Sequence, residues 1–241
     1  MYNYKEGRKN IIDILKTKTE VIKNEGIPKD NSLFTYKNAY QSYVSAIFVD
    51  IKNCTELNEL KHDKLLKLLR TLTSQIYSIF QDLDNHIEIG YRNGFLYAIY
   101  DIKNDGDLYD VFNIACQVNT FIHMFNMTIT EYGYNEITLG IGIGCGDELV
   151  FKVGDKENVA NDKQWIGKPI VDAIDLSLLA NDDGIQAIAM SKEFYKKIKG
   201  MLTENNPNYK EWIKYSKYED CYYCEMVITS VADWINDGMK D

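Results

Sequence analysis

Residues 43–51, YVSAIFVDI, are apolar at nearly every position and rich in β-branched and aromatic side chains. A run without polar alternation reads as a strand covered on both faces, which demands packed layers above and below it. Asp50 interrupts the run near its end. A carboxylate there must be paired, hydrogen-bonded or metal-bound, because an isolated buried charge is costly. Lys52-Asn53-Cys54-Thr55 then leads into a stretch, from Thr55 to about Leu83, where Leu and Ile recur at three- and four-residue steps. That period predicts a long amphipathic helix broken once near His62 and Asp63. The free N–H groups and positive dipole end of a helix beginning at Thr55 favour phosphate. A plainer alternative stays open, in which Asp50 caps a turn and Thr55 caps the helix.

Around this centre the pattern predicts an N-terminal helix over residues 8–24, ended by GIPKDNS. HIEIGY and GFLYAIY flank Arg92-Asn93-Gly94 and read as a hairpin. A helix begins at Asp105 or Asp107 and runs to about Thr130; ITLGIGIG then opens a glycine-rich strand with a second hairpin at Cys145-Gly146-Asp147. Glycines at every second position, Gly140 to Gly146, suit a close-packed strand and not the G-x-G-x-x-G turn that opens a dinucleotide-binding helix. A helix from Pro169 to Leu179, strand IQAIAM, helix SKEFYKKIKG, strand YCEMVI and a short terminal helix complete the chain. This order suits an α+β fold of ferredoxin-like or palm type, a mostly antiparallel sheet covered by helices with an added N-terminal helix. The expected division is 1–40 as N-terminal helix and linker and 41–241 as the main domain.

A net charge of -9 opposes polyanions, so neither a nucleic acid polymer nor an anionic membrane is an expected partner, while a small anion held through a metal is compatible. No stretch approaches the roughly 20 apolar residues of a spanning helix, and MYNYKEGRKN lacks the apolar core of a signal peptide, so a cytoplasmic address is expected. The five cysteines are odd in number and scattered, which fits reduced thiols. Cys221 and Cys224, in CYYC, have metal or redox spacing but no second pair, and the same run fits a strand. His62, His86 and His123 match no catalytic spacing.

FVDIKNCTEL at 48–57 resembles the metal motif of class III nucleotidyl cyclases, and three further segments follow in the family's order. GFLYAIY at 94–100 resembles the central hairpin, LGIGIGCGDELVFKVG at 139–154 the glycine-rich strand pair, and WIGKPIVDAIDLSLLA at 165–180 the segment with base-recognising and transition-state residues. The resemblance spans about residues 43–190. It implies a homodimer with sites between subunits, in which a ribose 3′-hydroxyl attacks the α-phosphorus of a nucleoside triphosphate with the help of divalent metal, Mn2+ or Mg2+. Carried over, Asp50 holds the metal with the Ile51 carbonyl, Asn93 takes the second metal position, and the N–H groups of Asn53, Cys54 and Thr55 take the terminal phosphates. Arg92, Lys152 and Lys168 lie in loops where a cation meets phosphate, and Arg92 and Lys168 are assigned catalytic roles; Tyr91 and Trp165 are candidates to stack on the base.

Several positions depart from the family. The second metal aspartate falls at Asn93, a weaker ligand for a hard cation. The purine-selecting positions fall at Ile89 and Gln164, leaving Gln164 as a base-side contact without purine selectivity, and the transition-state Asn and Arg fall at Val171 and Asp175. A compact chain lacking purine-selecting residues resembles the pyrimidine cyclases of the Pycsar antiphage systems. That resemblance implies UTP, favoured over CTP, as substrate, and a separate effector that reads the cyclic product without contacting the enzyme. The readings in competition are a catalytically silent nucleotide-binding module, alone or completed by a different partner chain, a divergent purine cyclase, and another palm enzyme such as a diguanylate cyclase.

Overall fold

The computed structural model describes residues 1–23, 26–52, 57, 59–92, 94–153, 163–205 and 207–240. In chain order the elements are α1 (Tyr4–Lys16), β1 (Glu20–Lys23), β2 (Asn38–Ile51), α2 (His62–Phe80), β3 (His86–Arg92), β4 (Phe95–Asp101), α3 (Asp105–Glu131), β5 (Leu139–Lys152), β6 (Lys163–Gly167), α4 (Lys168–Leu179), β7 (Ile188–Met190), α5 (Lys192–Asn205), α6 (Tyr209–Trp212), β8 (Lys214–Ser216), β9 (Cys221–Cys224) and α7 (Thr229–Asn236). The sheet runs β3-β4-β2-β5-β7-β9-β8, with β1 added beside β2 and β6 beside β5. Most neighbours are antiparallel; β1 with β2 and β5 with β7 are parallel. This is the expected α+β palm arrangement.

The apolar run is the central strand. β2 lies between β4 and β5, and from Val44 to Val49 every residue is buried. Its odd-numbered side chains, Ile47, Val49 and Ile51, join the large core under α2, α3 and α5. Its even-numbered ones, Val44, Ala46 and Phe48, join a second core that includes Ala173 of α4. Continuous hydrophobicity was needed because both faces are roofed.

The glycine-rich strand explains how the second roof fits. A Cβ on Gly142 would stand 2.0 Å from the Ala173 carbonyl oxygen, one on Gly140 2.2 Å from that of Ser177, and one on Gly144 2.3 Å from that of Pro169. Helix α4 therefore lies backbone against backbone on β5, an approach only glycine allows.

Two local expectations change and one holds. The N-terminal helix ends at Lys16, and Glu20–Lys23 form a strand whose Ile22 packs against the second core with Ile27 and Phe34. Leu57 is helical, the chain turns and bends at residues 59–60, and α2 runs from His62, so the expected break near His62 and Asp63 is present, while Thr55 lies outside the described residues. Cys145-Gly146-Asp147 is no hairpin: β5 runs straight through it, because β2 is long enough to pair with it residue for residue, Val44 opposite Gly146 and Tyr43 opposite Asp147. Helix α3 starts where expected, closed by a reciprocal cap between Asn104 and Asp107. The CYYC run is strand β9, with Cys221 and Cys224 buried and their thiols pushed up to about 11 and about 12 by desolvation. Such thiols are inert at neutral pH. Among the described residues, no helix is long and apolar enough to cross a membrane.

Candidate active site

Asp50 closes β2 on the α4 side, opposite Phe95 of β4 and Gly140 of β5. Its side chain is 16% exposed and ion-paired at 3.1 Å with Lys52. The Lys52 ammonium also donates to the Leu178 carbonyl at the end of α4. The missing side chain of Gly140 makes room for this lysine, since a Cβ there would meet Lys52 Cε at 2.6 Å. A helix C-terminus carries partial negative charge, so the ammonium is placed between two negative groups.

Asp50 thus has the partner that its burial required, and that partner is a cation. One carboxylate beside backbone carbonyls is the hard-oxygen chemistry that Mg2+ and Mn2+ take, and the pocket already balances its acid with positive charge. Among the described residues no group of three or more His, Cys, Asp or Glu side chains converges as a ready-made metal site. Asn53, Cys54, Thr55 and Asn93, expected to hold phosphate and metal, lie outside the described residues.

Helix α4 turns Pro169, Ala173, Leu176 and Ser177 to the sheet and leaves Val171, Asp175 and Leu178 exposed. Lys168, at its first position, is 81% exposed and pairs with Asp172 at 3.4 Å. Ten residues separate Lys168 from Leu178, about 15 Å of helix. Lys168 and the Asp50 pair therefore belong to opposite ends of α4 within one chain.

The remaining candidates gather at the far end of the same face. Trp165 packs against the second core, and its indole N–H donates to Glu88 Oε2 at 3.2 Å. The Tyr97 hydroxyl donates to Glu88 Oε1 at 2.8 Å, and Lys163 pairs with Oε2 at 3.3 Å. Tyr97 stacks on Phe48, ring centroids 5.2 Å apart. Burial first, and then the Glu88 charge, hold the Tyr97 phenol well above the ordinary range, so it remains a donor. Tyr91 and Arg92, both exposed, line with Glu88, Tyr97 and Lys163 an open polar cleft of about 570 Å³ along β3. Gln164 is exposed between Lys163 and Trp165, and its amide donates to the Trp165 carbonyl. Ile89 packs against the large core, on the other side of the sheet from Tyr97 and Trp165.

Sequence reasoning did not single out Glu88, Lys163, Tyr97 or Lys52. Lys52 was legible, two residues after Asp50 and just past the end of the strand that carries it. Glu88 was not, because the β3–β4 register shifts between His86 and Glu88. One extra residue exchanges the faces of every side chain beyond it.

A third acid lies near this far end, unanswered. Glu148 of β5, opposite Gly167, is 1% exposed, and neither carboxylate oxygen makes a hydrogen bond among the described residues. Desolvation pushes its pKa up to about 7, and the Ile170 N–H at the start of α4, near the carboxylate but short of good hydrogen-bond geometry, pulls only partly the other way.

No protein-family model matches the chain. It is 38% identical to a uridylate cyclase of Treponema porcinum over 243 residues, all of this chain and 83% of that one. A uridylate cyclase of Gulbenkiania mobilis is 24% identical over 204 residues, 81% of this chain and 79% of that one. Among solved structures, the adenylyl cyclase CyaB from P. aeruginosa superposes with a TM-score of 0.58 over 67% of this chain and 83% of its own, at 18% identity. That likeness supports the fold alone.

Proposed function

The chain belongs to the uridylate cyclases, nucleotide cyclases on the class III fold, and from that membership we propose that it converts UTP to cyclic UMP and diphosphate. CTP is the second choice. The observation that carries the reading is Asp50 at the closed end of β2, held half-buried beside a cation. In the reaction the ribose 3′-oxygen bonds to the α-phosphorus as the bond to the bridging β-phosphate oxygen breaks, diphosphate departs, and the 3′-hydroxyl proton passes to water.

Asp50, the Ile51 carbonyl and Asn93 would hold a divalent cation, which would supply charge neutralisation at the phosphates and a more acidic 3′-hydroxyl. The chain's own groups do the rest. The N–H groups of Asn53, Cys54 and Thr55 bind the terminal phosphates, and Arg92 and Lys168 counter charge that builds on the leaving diphosphate. Gln164 contacts the base, while Tyr91 and Trp165 stack on it. The roughly 15 Å of α4 between Lys168 and the Asp50 pair favours a homodimer, in which one chain's Lys168 serves the other chain's Asp50. Residues 41–241 form the catalytic unit and residues 1–40 add to it. The product acts as a second messenger in antiphage defence, read by a separate effector. Asp175, exposed on α4 where the fold's arginine would stand, favours one second reading, a catalytically silent nucleotide-binding module.

Incubation of the purified protein with each of the four nucleoside triphosphates and Mn2+, with products separated by mass, tests the proposal. Cyclic UMP is expected as the main product. Cyclic AMP or cyclic GMP alone would overturn it, and triphosphate binding without turnover would establish the silent module.

A further inference from the structure

Resting on the cyclase reading above, we propose that the Lys52 ammonium is a permanent second cation of the Asp50 site, so that this chain works with one divalent ion and a lysine where a pair of carboxylates would hold two ions.

The lysine sits in a seat that three elements build for it. Lys52 follows the last residue of β2, and its backbone N–H is fixed on the Thr138 carbonyl at 2.9 Å. Its side chain turns back over the strand end to Asp50 Oδ2 at 3.1 Å and donates onward to the Leu178 carbonyl of α4. Gly140 of β5 leaves the stem its room, since a Cβ there would meet Lys52 Cε at 2.6 Å. The chain just after α4 is itself tied down, because the Asn181 side-chain amide donates to the Leu139 carbonyl at 2.6 Å. Lys52 and Asp50 are only 17% and 16% exposed. A surface pair held by charge alone would need none of these provisions.

The charges at the site point the same way. The hairpin position that would supply a second carboxylate is Asn93, a neutral amide. Among the described residues no group of three His, Cys, Asp or Glu side chains converges, and the one salt bridge of Asp50 is to Lys52. Replacing one carboxylate and one divalent ion by one ammonium leaves the net charge facing a triphosphate unchanged. A second ion is also opposed directly. Bound to Oδ2 at about 2.1 Å, it would stand within about 5 Å of the ammonium with little water between the like charges. One ion, on Oδ1, is what the pair leaves room for. Lys52 is thus a positioning residue, which holds the carboxylate in one orientation and keeps it neutralised before any ion arrives.

The test counts ions and then removes the lysine, with full-length protein throughout. Bound Mn2+ is measured by the loss of the free-ion electron paramagnetic resonance signal, in the presence of one equivalent of α,β-methylene-UTP, which cannot release diphosphate. Wild type is expected to bind one Mn2+ per chain, and two overturn the proposal. Lys52→Met, of similar length and without charge, should bind Mn2+ alone about tenfold more tightly, because the ammonium no longer opposes the ion. Its kcat at saturating Mn2+ should nevertheless fall by roughly 100-fold. An unchanged Mn2+ affinity overturns the proposal, since a lysine that only packs would not move it. Undiminished kcat overturns it too, by marking Lys52 as a placeholder that the ion displaces. Should wild type form no cyclic pyrimidine, the proposed reaction fails, while the ion count and the affinity shift still decide the role of Lys52.

Discussion

The α4-side face of the sheet answers its acids in two different ways at its two ends. At the Asp50 end a single lysine two residues on, just past the strand's end, neutralises the carboxylate, and the room for it comes from glycines that let α4 settle onto β5. At the far end, Glu88 is held by a tyrosine, a tryptophan and a lysine from β4 and β6, while Glu148 nearby has no hydrogen bond among the described residues. One end is a tight backbone contact with one seated ion pair, suited to a charged, reacting group. The other is a side-chain network drawn from three strands.

The sharpest way to break this contrast is at Asp50. Asp50→Ala should lower kcat/KM by about a thousandfold or more, since it removes the carboxylate expected to carry the metal. The variant also leaves the Lys52 ammonium, 17% exposed, without its carboxylate, so the melting temperature should fall by several degrees. Activity assays and thermal unfolding on the same preparation check both halves. A comparably active variant would strip the Asp50 end of its role.

Gly142→Ala tests the backbone contact on which the Asp50 end is built. The added Cβ meets the Ala173 carbonyl oxygen at 2.0 Å and the Ser177 nitrogen at 2.3 Å. Backbone on both sides leaves nothing flexible to yield, so a cost of about 3 kcal/mol is expected, read as a melting temperature lower by roughly 10 °C.

The far end is best probed through pH. Glu148 has a folded pKa of about 7 against an ordinary 4.5, so the folded chain holds this proton more tightly than the unfolded one. Its contribution is fully present below pH 4.5 and is lost as pH rises through about 7. Integrated over the shift, the loss is at most about 3 kcal/mol. Wild type should therefore melt several degrees lower at pH 8 than at pH 5 through this group, and Glu148→Gln should flatten that slope. A slope unchanged in the variant would assign it to other groups.

Much of the Asp50 end was legible because its signals are local. A strand apolar on both faces, an acid at its close and glycines at every second position of another strand each state a backbone requirement within a few residues. The palm fold followed from element order. The break near His62 was legible from the leucine spacing, since Leu57 is helical and α2 starts afresh at His62. Other boundaries were less legible. Residues 20–23 fitted a helical period, yet pairing with β2 outweighed it. Cys145-Gly146-Asp147 carried turn residues that a long paired strand absorbed.

The sequence by itself determined that a doubly covered strand would carry Asp50 to its end, and that another strand would be bare of side chains where a helix must approach. These follow from hydrophobic burial and steric exclusion, which act residue by residue. Only the tertiary structure decided what meets at the other end. The register shift in β3 turned Glu88 toward the cleft and Ile89 toward the core, and β6 brought Lys163 and Trp165 across the sheet to it. Spacing along the chain cannot report such a meeting, because a single extra residue exchanges the two faces of a strand.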